Sequence, residues 1–377
     1  MSQDYELNIP NVQEKIKVVS IKKDTFNIGV LIPFWKDKYN TVTSSFKPRL
    51  YYEFLAGLKL AVQHANATSK SPFYNLFVYD SKNDKKIIDS IMALKEVQSF
   101  DLIISSLKSN AKTFYDFSSK YNIPIADPFL KTDSLMKHQD YVYFQQASFA
   151  TEGKCIAKSI IKQKNEGKIY LFYDNFTYSK RTIAKACKAD LDSNKNNLHF
   201  KAVGSSNATD MKNTLFNAAK NQEDIKAIVV LSNNRLVLSN LISALENGDI
   251  NVPIYVNEEL LNDNSKVIEL DQLQRRNFHF IAPSYVYEDL PSKNLRDEFK
   301  SVLGLKPERR FAYLAYDMMY YWIHILGKYG TIPKEGIMKE PYFKGKATIG
   351  NLYGRYHSNQ VVPIIKFDEN FVIEPIK

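Results

Sequence analysis

From Phe26 onward, short apolar runs alternate with longer amphipathic stretches. The run FNIGVLIPF (26–34) is rich in β-branched residues and stops at Pro33, the pattern of a strand buried on both faces. Arg49 to Asn66 places Tyr51, Phe54, Leu55, Leu58, Ala61, Val62 and Ala65 at helical spacing, which predicts a helix with one face on a sheet. The alternation continues with a strand over 76–80, a helix over 85–97, a strand over 101–105, a helix over 111–121 and a strand over 123–128. This β-α-β order implies a parallel sheet with right-handed crossovers. Near 141–145 the series restarts: strands over 168–174, 198–203, 227–232 and 253–257 are interleaved with four amphipathic helical stretches. A second lobe of the same construction is expected, without a detectable sequence repeat. After FHFIAP (278–283) come two helical stretches, the second long and aromatic. The tail from Tyr342 then switches to period two, as short antiparallel strands do.

Length agrees with two lobes: 377 residues are about two and a half times a domain of roughly 150 residues. The chain is 44% hydrophobic and 24% charged, which fits a globular protein, and no apolar stretch approaches the roughly 18 to 20 residues of a membrane span. Fifty-one Lys and Arg against 41 Asp and Glu give a net charge of +10. The basic residues are scattered through every segment, so no nucleic-acid partner is expected. Cys155 and Cys187 cannot make a disulfide framework and lack neighbouring ligands, so no metal is indicated; they are expected on neighbouring helices as buried small residues. The first 24 residues are polar and lack the signature of a secretory signal. Either the chain is cytoplasmic or its signal or anchor lies outside this sequence.

Enzyme signatures are sparse. Thirteen glycines are about half the usual share of roughly 7%, and neither G-x-x-x-x-G-K nor G-x-G-x-x-G occurs, so no nucleotide cofactor is implied. G-x-S-x-G and H-E-x-x-H are absent, and the six histidines show no paired spacing. A non-catalytic protein without cofactor or metal is expected. In open parallel sheets, ligands sit beyond the carboxyl ends of the strands. In the first half those positions hold Trp35 and Lys36; Asp80, Ser81 and Asp84; Ser105, Ser106 and Ser109; and Asp127, Phe129 and Lys131. In the second half they hold Asp174 and Tyr178; Ser232, Asn233, Asn234 and Arg235; and Asn257, Glu258 and Glu259. The serines also suit helix capping, which is compatible with anion binding at a helix N-terminus. Asp80 to Asp84 suits a turn and cap, and the stripe Tyr313, Tyr316, Tyr320, Tyr321 and Trp322 suits core packing.

The segments IGVLIPF, YYEFLAGLKLAV, LFVYDSKND, DLIISSLKSNA, NIPIADP and YVYFQQASFATEGKCIAKSII, taken in order, resemble the type I periplasmic binding proteins of the Leu/Ile/Val-binding kind. The branch found downstream of LysM repeats in bacterial envelope proteins is similar at Pro33–Phe34 and Tyr79 to Asp84, although no LysM repeat is present. The resemblance implies an α/β fold of two Rossmann-like lobes with parallel sheets, joined by three hinge crossings near 144–149, 278–284 and 338–342. Residues 1–25 would form an N-terminal extension or linker, 26–145 plus 283–338 lobe one, and 146–282 plus 339–377 lobe two.

The resemblance further implies an extracytoplasmic, periplasmic or envelope-associated solute-binding protein that closes over a small molecule and works with a membrane transporter. Ser109 stands where the family binds a ligand carboxylate, Tyr178 where it has a lobe-two tyrosine, and Glu258 where an acid receives an ammonium. Phe129 and Lys131 depart from the family's small contacts, and Asn234 or Arg235 replaces its second lobe-two tyrosine. With Lys36, Lys131 and Arg235 at the rim, the ligand is expected to carry an anionic group. Trp35, Phe129 and Tyr178 would flank its body, with Ser105 and Ser106 adding hydroxyls. The alternative is an envelope scaffold that regulates cell-wall synthesis proteins without a transported ligand. A third reading, a cytoplasmic regulatory sensor, lacks a visible helix-turn-helix.

Overall fold

The computed structural model describes residues 20–35, 47–68, 72–107, 110–133, 140–163, 165–262, 268–283, 285–287, 290–304, 307, 310–348, 350–354, 357–370 and 372–376. Two sheets organise them. In the first, strands β1 (Thr25–Ile32), β2 (Phe73–Asp80), β3 (Leu102–Ser105), β4 (Ile125–Asp127) and β5 (Val142–Phe144) are all parallel, in the order β2-β1-β3-β4-β5. In the second, β6 (Lys168–Tyr173), β7 (Leu198–Ala202), β8 (Ile225–Leu231), β9 (Ile254–Asn257) and β10 (Phe278–Ile281) are parallel in the equivalent order β7-β6-β8-β9-β10. The fold class read from the sequence is therefore observed. The repeat lies in the topology, since each sheet adds its second strand on one side of its first and all later parallel strands on the other.

Helices cover both faces of each sheet. On the first sheet, α1 (Lys47–Thr68) packs between the strands and the long α10 (Phe311–Tyr329), while α2 (Lys85–Met92) and α3 (Ala111–Tyr121) lie on the other face. On the second, α4 (Phe149–Ile161) and α5 (Tyr178–Ser193) pack together opposite α6 (Ala208–Lys220) and α7 (Arg235–Asn247). Helix α8 (Leu270–Arg275) adds Leu273 to the same core as α6 and α7, and α9 (Leu290–Leu303) packs Leu295 and Phe299 into the first lobe's core. The aromatic stripe of α10 is core: Tyr313, Tyr316, Tyr321 and Trp322 are buried and Tyr320 is half-buried. Helix α2 ends at Met92, earlier than the expected 97, and a short 3-10 turn, Val97–Ser99, follows. Cys187 is buried and Cys155 half-buried, both as free thiols on α5 and α4. Among the described residues no helix is long and apolar enough to cross a membrane.

The tail differs from expectation in one respect. The strands β13 (Ile364–Phe367) and β14 (Ile373–Pro375) extend the second sheet antiparallel beside β10. The strands β11 (Tyr342–Phe343) and β12 (Asn351–Leu352) instead pair with each other, and Phe343, Ala347 and Tyr353 pack into the first lobe's core beside Tyr321 and Trp322. The last crossing thus falls between Tyr353 and Ile364, beyond the expected 338–342, and the range 339–377 is divided between the lobes. Asp317 on α10 is the physical reason. Its carboxylate accepts the backbone N–H groups of Lys346, Ala347 and Thr348 at 2.7, 3.1 and 2.7 Å, tying the segment to lobe one.

Polar side chains join the strands that pass between the lobes. The Asn359 amide donates to the Gln145 carbonyl at 3.0 Å, the Tyr353 hydroxyl donates to Gln145 Oε1 at 2.9 Å, and Gln145 Nε2 donates to Asn351 Oδ1. Residues 20 and 21 dock at the far end of α10, where the Ser20 hydroxyl donates to the Tyr329 carbonyl at 2.5 Å and the Thr331 N–H donates to the Ile21 carbonyl.

Candidate functional site

The carboxyl ends of the two sheets face each other, and the sequence-predicted residues are distributed around that cleft. After β1, Trp35 adopts a left-handed backbone conformation with φ 48°, and its N–H and that of Phe34 donate to Asp80 Oδ1. Its ring lies edge-on to Tyr51 at 5.7 Å, and Tyr51 meets Phe129 at 5.6 Å. Phe129 also contacts Phe54 and Phe311, so it extends an aromatic run along the lobe-one wall. Ser105 is turned away from the cleft: it is buried and its hydroxyl donates to the Leu31 carbonyl at 2.7 Å. Ser106 is half-buried, while Lys36 and Ser109 lie outside the described residues.

Asp127 fixes the lobe-one loops. Its buried carboxylate accepts N–H groups from Leu107 after β3 at 2.7 Å and from Phe129 and Leu130 after β4 at 2.6 and 2.8 Å. Burial pushes its pKa up to about 6, against the lowering effect of those three donors. Because the folded value lies above the ordinary carboxylate range, this group stabilises the fold fully at acidic pH, and the contribution is lost as pH rises through about 6.

In lobe two, Asp174 caps its own loop by accepting from the Phe176 N–H at 2.8 Å, and the Phe176 side chain is exposed. Tyr178 opens α5, half exposed, with its ring 6.2 Å from Phe149. Asn234 is an N-cap: its side chain accepts from the N–H groups of Leu236 and Val237, and its amide donates to Ser205 at 2.6 Å. Arg235 is exposed at the start of α7.

A charged centre brings Lys131 and Glu258 together. A small cavity of about 50 Å³, partly open to solvent, lies between the loop after β4, the first turns of α4 and α5, and the ends of β9 and β10. Lys131 pairs with the buried Glu152 of α4 and lies 5.1 Å above the Phe149 ring. Arg310, at the N-cap of α10, pairs with Glu258 at 2.5 Å, and the buried Lys180 of α5 pairs with Glu259 at 3.0 Å. Three cations thus face three carboxylates. Burial pushes Glu152 and Glu258 upward despite their partners, and the neighbouring carboxylates add to the rise. Asn257, 6% exposed, lines the same cavity with its Oδ1 atom lacking a hydrogen-bond partner.

Two features of this centre differ from the sequence expectation. Lys131 stands within an ion pair and not free at the rim, and Glu258 is already matched by Arg310. Sequence reasoning missed Glu152, Lys180 and Arg310. Glu152 carried a signal, as a lone acid on the otherwise apolar or basic TEGKCIAKSIIK helix, whereas Arg310 meets Glu258 across 52 residues of chain and leaves no local pattern. Among the described residues no His, Cys, Asp and Glu group suited to a metal ion occurs.

Two equivalently ordered parallel sheets, a cleft at their carboxyl ends and a multi-strand hinge define the fold of the type I periplasmic binding proteins. A protein described as a branched-chain amino acid ABC transporter from Rhodospirillum rubrum is similar with a TM-score of 0.73 at 13% identity, over 93% of this chain and 100% of that one. The substrate-binding protein LivJ of Streptococcus pneumoniae, solved with isoleucine, gives a TM-score of 0.55 at 19% identity, over 94% of this chain and 99% of that one. The C-domain of LpoA from Haemophilus influenzae, described as a regulator of PBP1A, gives 0.62 at 13% identity, over 93% and 100%. No family model and no curated protein matches the chain.

Proposed function

We propose that the chain is an extracytoplasmic, non-catalytic solute-binding protein that captures a small polar molecule between its lobes. Lobe one would comprise 26–145 and 283–338, extended through 353, and lobe two 146–282 with the remainder of the tail. The observation that carries the reading is the charged cavity, where Lys131 and Glu258 converge beside the unpartnered Asn257 carbonyl. A ligand bearing an anionic group would be received by Lys131, and a cationic or hydroxyl part by Glu258 and Asn257. Charge-assisted hydrogen bonds in a closed, water-poor cleft are roughly twice as strong as neutral ones. Tyr178 and Phe129 would flank the body of the ligand. Amino acids and cell-wall-derived fragments are the classes that fit, and the similarity to isoleucine-bound LivJ supports the first. A membrane transporter would be the partner.

Native mass spectrometry of the protein taken from its own cells tests this reading. A small molecule released on unfolding is the expected result, and a bare chain at every collision energy would count against it. One observation favours a second reading, an envelope scaffold that engages a cell-wall synthesis protein: the cleft's own charges are mutually satisfied, and the LpoA C-domain shares the fold. A bare chain that retains a protein partner would move the assignment there.

A further inference from the structure

Two of the three ion pairs in the cavity join residues from opposite lobes. Lys131 leaves β4 of the first sheet, and its partner Glu152 lies on α4, which packs with α5 against the second sheet. Arg310 starts α10, whose body fills the first lobe's core, and its partner Glu258 directly follows β9 of the second sheet. The Lys180–Glu259 pair lies within lobe two. Lobe one contributes two cations to this centre, Lys131 lining the cavity and Arg310 on Glu258 beside it, and lobe two contributes three carboxylates and one cation. The walls are therefore opposite in charge, and each is neutralised by the other only while the lobes are together.

We infer that Arg310 and Lys131 are internal stand-ins for a ligand's cationic groups: they hold Glu258 and Glu152 across the cleft and latch it shut. The pairs sit where closure removes water. Arg310 and Glu258 are 30% and 19% exposed at the side chain, and Lys131 and Glu152 are 22% and 5% exposed, so their attraction is screened less than that of surface pairs. Each cation is also held in place by a neighbour. Lys131 rests on Phe149, and the residue after Arg310, Phe311, is anchored on Phe129 at 6.2 Å. Opening leaves two lobe-one cations and a surplus of lobe-two carboxylates to solvent, and an entering solute must supply the counter-charges that the opposite lobe gave up. Arg310 would then set specificity, because a solute without a cationic or strongly donating group cannot replace it on Glu258. The consequence for specificity rests on the proposed solute-binding reading; the latch itself does not.

Small-angle scattering of the ligand-free protein tests the latch without any solute. The wild type is expected to be compact, and Lys131→Ala/Arg310→Ala is expected to show a larger radius of gyration with an unchanged circular dichroism spectrum. The reversed pair Arg310→Glu/Glu258→Arg should return the compact form, which separates loss of the latch from misfolding. Equal radii for wild type and double alanine variant, or a wild type already expanded, would overturn the inference. Equal radii together with a co-purified solute would overturn the latch alone, whereas an opening variant with no solute under any condition would sink the solute-binding reading and leave the latch standing.

Discussion

Asp317→Ala is expected to destabilise the protein by about 3 kcal/mol or more and to loosen the 346–348 segment toward protease. In the wild type this single carboxylate accepts three backbone N–H groups and, at 2.8 Å, the Thr348 hydroxyl. Burial pushes its pKa up, so the site already bears a desolvation cost that the four donors offset. Alanine would strand those donors in the first lobe's interior, and each buried unpaired group costs about 1–3 kcal/mol. The segment is also held by the two-residue pairing of β11 with β12, by the Tyr287 N–H on the Ala347 carbonyl at 2.8 Å and by the buried Ala347 side chain, so the loss is partial and not a full release of the tail. Urea denaturation with limited proteolysis measures both effects. A loss under about 0.5 kcal/mol, the range of an ordinary surface substitution, would show that Asp317 does not hold the tail.

Gly57→Val is expected to cost a similar amount or more, by forcing α1 away from α10. A Cβ at Gly57 would lie 2.1 Å from the Ala312 carbonyl oxygen and 2.8 Å from the Ala315 Cβ. Those are backbone and short side-chain atoms of a packed helix and cannot swing aside, so the axes must separate, and overpacking of this kind costs about 1–3 kcal/mol or more. Because Arg310 caps the same helix, a displaced α10 would also move it off Glu258. Gly204→Val is the control: nothing lies within 4 Å of a Cβ there, and it should change stability by no more than about 0.5 kcal/mol. Thermal melts of the two variants side by side decide, and equal melting temperatures would contradict the account of the α1–α10 contact.

Much of the fold was legible because its signals are local. FNIGVLIPF announces β1 by its apolar character, and Tyr51, Phe54, Leu58 and Val62 announce α1 by spacing; the observed strand, Thr25–Ile32, takes the run up to Pro33, and the observed helix, Lys47–Thr68, encloses the spaced residues. The last hinge crossing was misplaced because it depends on Asp317, which looks like an isolated charge in an aromatic helix until 346–348 is folded onto it. Period-two pattern in the tail was real, but it could not say which lobe received the first pair of strands. The site was legible in the same uneven way. Of the strand-end residues, Lys131 and Glu258 line the cavity, a placement that the rule for parallel sheets reaches from chain direction alone. Side-chain direction was not legible. Ser105 sits at a strand end yet spends its hydroxyl on the neighbouring strand, and Asn234 spends its side chain on a cap. Arg310, which decides the charge of the centre, precedes a helix assigned to core packing and meets Glu258 only through the closure of the two lobes.

Calorimetry on the Glu258→Ala and Lys131→Ala variants beside the wild type tests the central claim, that the charged cavity between the lobes is a solute site. The panel comprises acidic amino acids, short peptides, sugar acids and cell-wall fragments. The wild type is predicted to bind at least one of these, with affinity falling by about tenfold or more in each variant, as expected for loss of roughly 1.4 kcal/mol of charge-assisted contact. Binding that survives both substitutions unchanged, or no binding across the panel, would contradict it.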